Sequence, residues 1–236
     1  MGSGLPVLVE TTRLLEKRMI TFVVATRNAH KVGEIRSILG GTVECVSLAG
    51  YSGAPTPIED ASTFAGNAAI KAATIALWLE QRGQASGLDG NRLFVLADDS
   101  GLEVDALGGA PGVLSARYAA VPGVEGNSSD SDNNRKLLGA LETTSEDRRT
   151  ARFRCALALV DALRPEVTPV IFEGACEGRI QRTAAGVGGF GYDPLFVPAG
   201  YKLSFAELGE VIKNQISHRS KALAQLKAWI ESGGLC

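Results

Sequence analysis

The chain has 236 residues, of which 45% are hydrophobic, so it is long enough to bury a sizeable core. Its formal net charge of −2 argues against a broad nucleic-acid or membrane surface, which would need a basic face, and no apolar stretch is long enough to span a bilayer. Four cysteines with no close pair fit neither a zinc ribbon nor a disulfide framework, which favours a reducing, cytoplasmic setting.

The first predicted elements are a strand and a helix. Residues 1–18 are interpreted as an N-terminal extension, followed by a single domain over residues 19–236. The β-branched and aromatic run Ile20–Thr26 predicts a buried strand. Apolar residues then recur at helical spacing over residues 32–39, and the glycine pair after them predicts where this helix ends.

A second strand and a longer helix are predicted next. The segment VECVSL has strand composition, and from Phe64 apolar side chains recur every three to four residues as far as Leu79. Asn67 and Lys71 lie one turn apart beside this apolar stripe. We therefore expect them to face the margin of a cleft.

The following apolar strand leads into two adjacent carboxylates, Asp98 and Asp99. Neighbouring strand residues point to opposite faces, so Ser100 and Gly101 predict that the strand has ended and that the backbone bends. Two close carboxylates need a cation or a shared proton, and oxygen ligands favour Mg²⁺ or Mn²⁺ over zinc. Glu59, in a turn-like segment, can supply another oxygen. The alternative is a hydrophilic surface turn.

The second half of the chain reads as paired strands and a closing helix. The segments ARFRCALALV and TPVIFEGACEGRI predict a strand pair, and ISHRSKALAQLKAWIE predicts an amphipathic helix. The polar stretches EQRGQASGLDGNR and GVEGNSSDSDNN are predicted to be surface loops. Helices alternating with early strands, followed by paired strands, predict a mixed α/β fold.

The first strand-to-helix junction is a candidate anion site. A helix N-terminus presents free N–H groups and the positive end of the helix dipole, to which Thr26 and Asn28 add hydrogen bonds and Lys31 a charge. Alternatively, Asn28 only caps the helix and Lys31 is solvated.

A glycine-rich segment, GVGGFGYDPLFVP, is a candidate platform for a flat ligand. Its glycines leave Phe190 and Tyr192 free to stack, and Asp193 can accept hydrogen bonds. The alternative is a tight turn whose aromatic rings lie in the core.

Basic residues gather at the start of the last helix. Lys213, His218, Arg219 and Lys221 oppose the helix dipole there, which indicates an anionic ligand or, alternatively, a solvated basic face. Arg117 can clamp a phosphate or pair with a surface carboxylate. A carboxylate metal site, phosphate-binding cations and an aromatic platform together are what a nucleoside triphosphate needs.

These stretches, in this order, closely resemble the inosine triphosphate pyrophosphatase family from Ile20 to about Ile230, with ADDSGL, GGFGYDP and SHR as the most specific motifs. The resemblance implies an elongated, two-lobed α/β fold around a mixed sheet, with the nucleotide in the cleft between the lobes. It also implies a homodimer that uses Mg²⁺, with Mn²⁺ as a possible substitute. The implied reaction hydrolyses ITP, dITP and XTP to the monophosphate and pyrophosphate, which cleanses the nucleotide pool.

The resemblance also implies roles for individual residues. Asp99 would be the catalytic acid–base residue, and Glu59 and Asp99 would hold the metal, to which our hypothesis adds Asp98. Glycine is usual in the family where this chain has Arg27, and His30 also departs from the family pattern. The residues expected to bind substrate are Thr26, Arg27, Asn28, Ala29, His30, Lys31, Lys71, Ser100, Arg117, Phe190, Gly191, Tyr192, Asp193, Lys213, His218 and Arg219.

Selection against ATP is expected to depend on the 6-oxo group, which accepts hydrogen bonds from Arg219 or from a protonated His218. Two other functions compete with this hypothesis. The chain could be a pyrophosphatase for modified pyrimidine nucleotides, as in the septum-formation-inhibitor family, but GGFGYDP and SHR argue against it. It could also be a non-catalytic nucleotide sensor, against which the three retained carboxylates argue.

Overall fold

The computed structural model describes residues 20–85, 92–121 and 126–235, so the predicted extension over residues 1–18 lies outside the described residues. The strands and α-helices of this part of the chain follow one another as β1 Ile20–Val24, α1 Ala29–Leu39, β2 Glu44–Ser47, α2 Phe64–Gln81, β3 Arg92–Val104, α3 Asp130–Ala140, β4 Thr150–Asp161, β5 Val170–Ile180, β6 Phe196–Pro198, α4 Phe205–Ile216 and α5 His218–Glu231. The strands form one mixed sheet in the order β2-β1-β3-β4-β5-β6. The predicted mixed α/β fold is thereby confirmed, whereas the two-lobed description stays a prediction.

The sheet changes from parallel to antiparallel at β3. This strand is parallel to β1 and antiparallel to β4, and it continues through the acidic pair, with Asp98 opposite Leu157 and Asp99 opposite Ala156. The prediction that the strand ends at Ser100 and Gly101 is wrong, because the ladder with β4 extends as far as Val104. Gly101 instead allows the backbone of Gly112 to lie close to β3, since a Cβ on Gly101 would lie 2.5 Å from the carbonyl oxygen of Gly112.

Helices cover both faces of the sheet. On one face, α2 packs against β3 and β4 with the apolar stripe that the sequence predicted, which runs from Phe64 to Leu79. On the other face lie α1, which buries Val32 and Ile35, and α5, which buries Leu223. A third apolar cluster joins α3 and α4 to the far ends of β4 and β5 around Phe153.

The polar segment GVEGNSSDSDNN is only partly a loop. Residues 122–125 lie outside the described residues, but α3 begins at Asp130, so the prediction of a surface loop is wrong for residues 130–134. Ser129 caps this helix by accepting a hydrogen bond from the Asp132 N–H, and acidic residues in the first turn suit the helix dipole. No helix within the described residues is long and apolar enough to cross a membrane.

Candidate active site

The acidic pair on β3 is divided between the two faces of the sheet. The side chain of Asp98 points towards α1 and α5, where it contacts Lys31 and Arg219. The side chain of Asp99 points towards α2, where it contacts Lys71. The structure therefore does not bring the two carboxylates to one point, because the period of two in a regular strand separates them.

Asp98 is the centre of a buried ion-pair network. Its Oδ2 accepts a hydrogen bond from Nε of Arg219 at 2.8 Å, and its Oδ1 accepts one from Oγ of Ser100 at 2.9 Å and another from Lys31. Burial alone would raise the pKa of Asp98, but the charges of Arg219 and Lys31 outweigh it and hold that pKa well below its ordinary value. Both Asp98 and Arg219 therefore remain charged.

Asp99 shares a lysine with Glu59. Nζ of Lys71 donates at 2.9 Å to Oδ1 of Asp99 and at 2.9 Å to Oε2 of Glu59, while Asn67 donates to Oδ2 of Asp99 at 3.2 Å. Burial raises the pKa of Asp99, helped by the negative charge of Glu59, even though Lys71 opposes the shift. The same two carboxylates raise the pKa of Lys71 against its own burial.

Glu34, on α1, is a site residue that the sequence did not indicate. Its carboxylate bridges Lys213, at 2.8 Å, and Arg219. Burial alone would raise the pKa of Glu34, but these two cations lower it. Lys213 also donates at 2.6 Å to Asp193, whose own pKa is raised by burial. Lys213 and Arg219 are thus paired with protein carboxylates rather than solvated.

His218 is buried at the first position of α5 and stacks on Phe153, with ring centroids 4.8 Å apart and planes at 15°. Burial, together with the positive charges of Arg219 and Lys213, lowers its pKa well below the ordinary value. The imidazole is therefore neutral at neutral pH, which contradicts the expectation of a protonated donor. Its Nδ1 has no hydrogen-bond partner within the described part of the chain.

The two aromatic residues of the glycine-rich segment have different environments. Tyr192 is buried in the third apolar cluster, and its hydroxyl donates to the carbonyl oxygen of Ser115 at 2.8 Å, so its ring is not free to stack. Phe190 is only partly buried and stacks on His30, with centroids 5.4 Å apart and planes at 19°. Nζ of Lys213 lies 4.3 Å from the centroid of Phe190.

The start of α1 is capped from within. Oδ1 of Asn28 accepts hydrogen bonds from the N–H groups of His30 and Lys31, and Oγ1 of Thr26 accepts one from the Asn28 N–H. Asn28 is therefore the N-cap of α1, and its amide NH₂ group, which donates to none of the described residues, can bind a ligand. Arg27 instead anchors the segment before α2, donating to the carbonyl oxygen of Ala54 at 2.6 Å.

Arg117 and Lys221 also contact backbone rather than a carboxylate. Arg117 donates to the carbonyl oxygen of Glu59 at 3.1 Å, which helps to fix the residue that shares Lys71. Lys221 donates to the carbonyl oxygen of Ala175 at 2.8 Å and lies at the surface. Arg117 is therefore placed near Glu59 on the side of the sheet to which Asp99 points. Lys221 belongs neither to the ion pairs of Asp98 nor to those of Asp99.

One pocket collects most of the expected substrate-binding residues. These are Asn28, Lys31, Ser100, Phe190, Gly191, Tyr192, Asp193, Lys213, His218 and Arg219. Ala29 and His30 line a neighbouring pocket, on which Phe190 and Lys213 also border. Asp99 is not part of either lining, because it faces α2. The lining also includes Asp130 and Asn133 of α3. Neither was expected at the site, because the sequence predicts a surface loop over this segment.

Glu59 and Asp99, on the α2 face of the sheet, suit a hard divalent cation better than the set of three carboxylates with Asp98 that was proposed from the sequence. Glu59 and Asp99 present carboxylate oxygens to the same ammonium group of Lys71, a position that already favours positive charge. Both oxygens of Asp98 are used by Arg219, Lys31 and Ser100 on the opposite face. Within the described residues no three His, Cys, Asp or Glu side chains converge, so a cation held by Glu59 and Asp99 would need phosphate and water oxygens as further ligands.

A model of the Ham1 family matches residues 22–229 of the chain. Among curated relatives, a dITP/XTP pyrophosphatase of Desulforamulus reducens is 47% identical over 202 residues, which cover 85% of this chain and 90% of the relative. A dITP/XTP pyrophosphatase of Shouchella clausii is 42% identical over 213 residues, covering 90% of this chain and 98% of the relative.

Two solved structures have a similar fold over about the same fraction of this chain. A HAM1 protein from Coxiella burnetii is 37% identical with a TM-score of 0.74, covering 91% of this chain and 100% of the other. A protein from Mycobacterium abscessus, described as a nucleoside-triphosphatase or dITP/XTP pyrophosphatase, is 40% identical with a TM-score of 0.65, covering 87% and 98% of the two chains.

Proposed function

The chain belongs to the Ham1 family, and we propose that it hydrolyses non-standard purine nucleoside triphosphates, such as dITP, ITP and XTP, to the monophosphate and pyrophosphate. The observation that carries the proposal is the buried carboxylate Asp99, which shares Lys71 with Glu59 beside a pocket lined by cations and an aromatic ring. Such an arrangement suits phosphoryl chemistry, in which positioning and charge stabilisation supply most of the catalysis.

The base binds at the end of the pocket formed by Phe190, Asp193 and His218. Phe190 offers a partly exposed ring for stacking, and the buried carboxylate of Asp193 lies next to it. A neutral His218 has one N–H donor and one acceptor nitrogen, so the donor can bind a 6-oxo group. Arg219 contributes less directly than the sequence indicated, because Asp98 and Glu34 already occupy much of its guanidinium.

The triphosphate extends from this end past Lys31 to the opposite face of β3. Lys31 binds Asp98, and its charge also lowers the pKa of Asp99, so Lys31 lies near both carboxylates. The free amide of the cap residue Asn28 and the ammonium of Lys31 suit phosphate oxygens. Lys71 supplies a second cation beside Asp99 for the charge that develops on the leaving pyrophosphate.

Glu59 and Asp99 are the residues that would hold Mg²⁺, which when bound would neutralise phosphate charge and polarise the reacting phosphorus centre. Mn²⁺, which also prefers oxygen ligands, is the expected substitute.

Asp99 orients the attacking water and accepts its proton. Burial raises the pKa of this carboxylate, which makes it a stronger base than an exposed aspartate, and Lys71 keeps it ionised before the reaction. Asn67 holds the second carboxylate oxygen and so fixes the orientation of Asp99. A homodimer, which depends on the family resemblance alone, and a cytoplasmic location, which the cysteine pattern favours, complete the proposal.

A nucleotide panel tests the proposal. The purified chain is incubated with Mg²⁺ and ITP, dITP, XTP, ATP, GTP or modified pyrimidine triphosphates, and pyrophosphate is measured separately from orthophosphate. We expect pyrophosphate from the 6-oxo purines ITP, dITP and XTP, and a kcat/KM for ATP that is lower by about tenfold or more, because the 6-amino group of adenine would leave the buried N–H donor of His218 unpaired. Release of orthophosphate, or a preference for a pyrimidine, would refute it.

A further inference from the structure

Phe190, whose ring we propose stacks on the base, lies between two glycines that restrict the backbone conformation very little. Gly189 and Gly191 flank Phe190, and both have positive φ, 74° and 63°. A Cβ on Gly191 would meet no atom of the described residues within 4 Å, its chain neighbours aside. Glycine is therefore favoured at this position by the positive φ and not by close packing. Other parts of the chain must therefore fix the ring of Phe190.

The first two turns of α3 bind both polar backbone groups of Gly191. Oδ2 of Asp130 accepts a hydrogen bond from the Gly191 N–H at 2.6 Å, and Nδ2 of Asn134 donates one to the Gly191 carbonyl oxygen at 3.0 Å. Asp130 and Asn134 are four residues apart, which places them on the same side of the helix. The preceding N–H, that of Phe190, donates to Asp193 at 2.9 Å.

The helix that makes these contacts is itself anchored. Asn133 accepts a hydrogen bond from the Ala119 N–H at 2.8 Å and donates one to the carbonyl oxygen of Ala116, while Leu137 is fully buried. The contacts with Gly191 therefore tie the glycine-rich segment to a fixed part of the fold.

We propose that Asp130 and Asn134 are positioning residues that hold the Phe190–Gly191 backbone so that the ring of Phe190 is ready to stack on the base. The proposal rests on the proposed function, because it assigns Phe190 to the base. Asp130 and Asn134 act through the backbone of Gly191 rather than through a contact with the reacting phosphate.

Variants of α3 test this proposal through KM and kcat for ITP and through the Kd of IMP measured by calorimetry. We expect Asp130→Ala and Asn134→Ala each to raise KM and Kd about tenfold, the usual effect of losing such a hydrogen bond, with kcat changed less than about twofold. Asp130→Asn keeps an acceptor oxygen and should stay within about threefold of the native protein. The matched control is Asp132→Ala, because Asp132 lies in the first turn of α3 with Asp130, but among the described residues its carboxylate binds Ser129 and Arg135 instead of Gly191.

A double-mutant comparison separates positioning from general destabilisation. In a Phe190→Ala background, Asp130→Ala should change KM and Kd less than about twofold, because the ring that it positions is gone. An undiminished effect in that background, or equal effects of Asp130→Ala and Asp132→Ala, would overturn the proposal. Failure of the proposed function would appear differently, as no pyrophosphate release by the native protein, and the Kd series for IMP would still decide the role of Asp130.

Discussion

Asp98 and Asp99 are neighbours on β3, yet Asp98 binds Lys31 and Arg219 on one face of the sheet while Asp99 binds Lys71 on the other. The sheet thus assigns two adjacent and identical side chains to different environments. Asp98 joins α1 to α5 through the buried Arg219 and the partly buried Lys31, whereas Asp99 lies beside the partly exposed Glu59. We infer that Asp98 mainly stabilises the fold and that Asp99 serves the reaction.

Replacing Asp98 by Asn should destabilise the fold by about 1–3 kcal/mol, because the buried guanidinium of Arg219 loses one of its two carboxylate partners and keeps only Glu34. Urea unfolding followed by circular dichroism measures this change. The exposed control Asp132→Asn should unfold at nearly the native urea concentration. Native stability of Asp98→Asn would show that the ion pair with Arg219 does not hold α5 to the sheet.

Replacing Glu59 by Gln should raise the Mg²⁺ concentration for half-maximal activity by about tenfold or more, because a neutral amide binds a hard cation less well than a carboxylate. The measurement is initial pyrophosphate release from ITP across a Mg²⁺ titration, with EDTA at its lower end. Glu103→Gln is the control, since Glu103 lies on β3, the strand that carries Asp99, and contacts Arg152 instead. If both variants had the native Mg²⁺ requirement, Glu59 would not be a metal ligand.

The acid limb of kcat/KM should follow the pKa of Asp99, because the base works only when it is deprotonated, so activity is lost as the pH falls through that pKa. In the protein without metal, burial raises this pKa and the charge of Lys71 opposes the shift. Lys71→Met should move the limb to higher pH, since the ammonium of Lys71 lowers the pKa of Asp99. Rate profiles of both proteins with the same substrate measure the shift, and a midpoint that stayed in place or moved to lower pH would contradict the assignment of the base.

Gly174 on β5 should tolerate no side chain, because a Cβ there would lie 2.7 Å from the backbone nitrogen of Ala222 on α5. We expect Gly174→Ala to cost about 1–3 kcal/mol by forcing α5 away from the sheet. Gly139→Ala is the control: nothing lies within 4 Å of the new methyl group, and alanine should stabilise α3 by up to about 1 kcal/mol. Thermal unfolding of the two variants compares them, and equal Tm values would refute this account of the packing.

Local periodicity explains which parts of the fold the sequence could predict. The stripe from Phe64 to Leu79 repeats at the helical period, so the helix could be predicted from the sequence, whereas its packing against β3 and β4 is known only from the structure. The end of β3 was wrongly predicted at Ser100 and Gly101, because serine and glycine often interrupt strands. Here the pairing with β4 continues past both residues. The start of α3 was missed because its residues are polar, although a serine followed by aspartates is a recognised helix-start signal.

The site was less predictable than the fold because its contacts are long-range. Glu34 looked like an ordinary surface residue of α1, yet it bridges Lys213 and Arg219, which lie far along the chain. Its only signal was a carboxylate one turn after Lys31, which many solvated helices share. The different partners of Asp98 and Asp99 likewise depend on which helix covers each face of the sheet.

The most direct test of the central claim is pyrophosphate release from ITP with saturating Mg²⁺ by the native protein and by Asp99→Asn. Asparagine keeps the size of the side chain and a hydrogen-bond acceptor but cannot take the proton from water. We expect kcat of Asp99→Asn to fall at least ~100-fold, with the Tm close to native, because general-base catalysis is lost while the fold remains. A folded Asp99→Asn protein with near-native turnover would contradict the claim that Asp99 activates the attacking water.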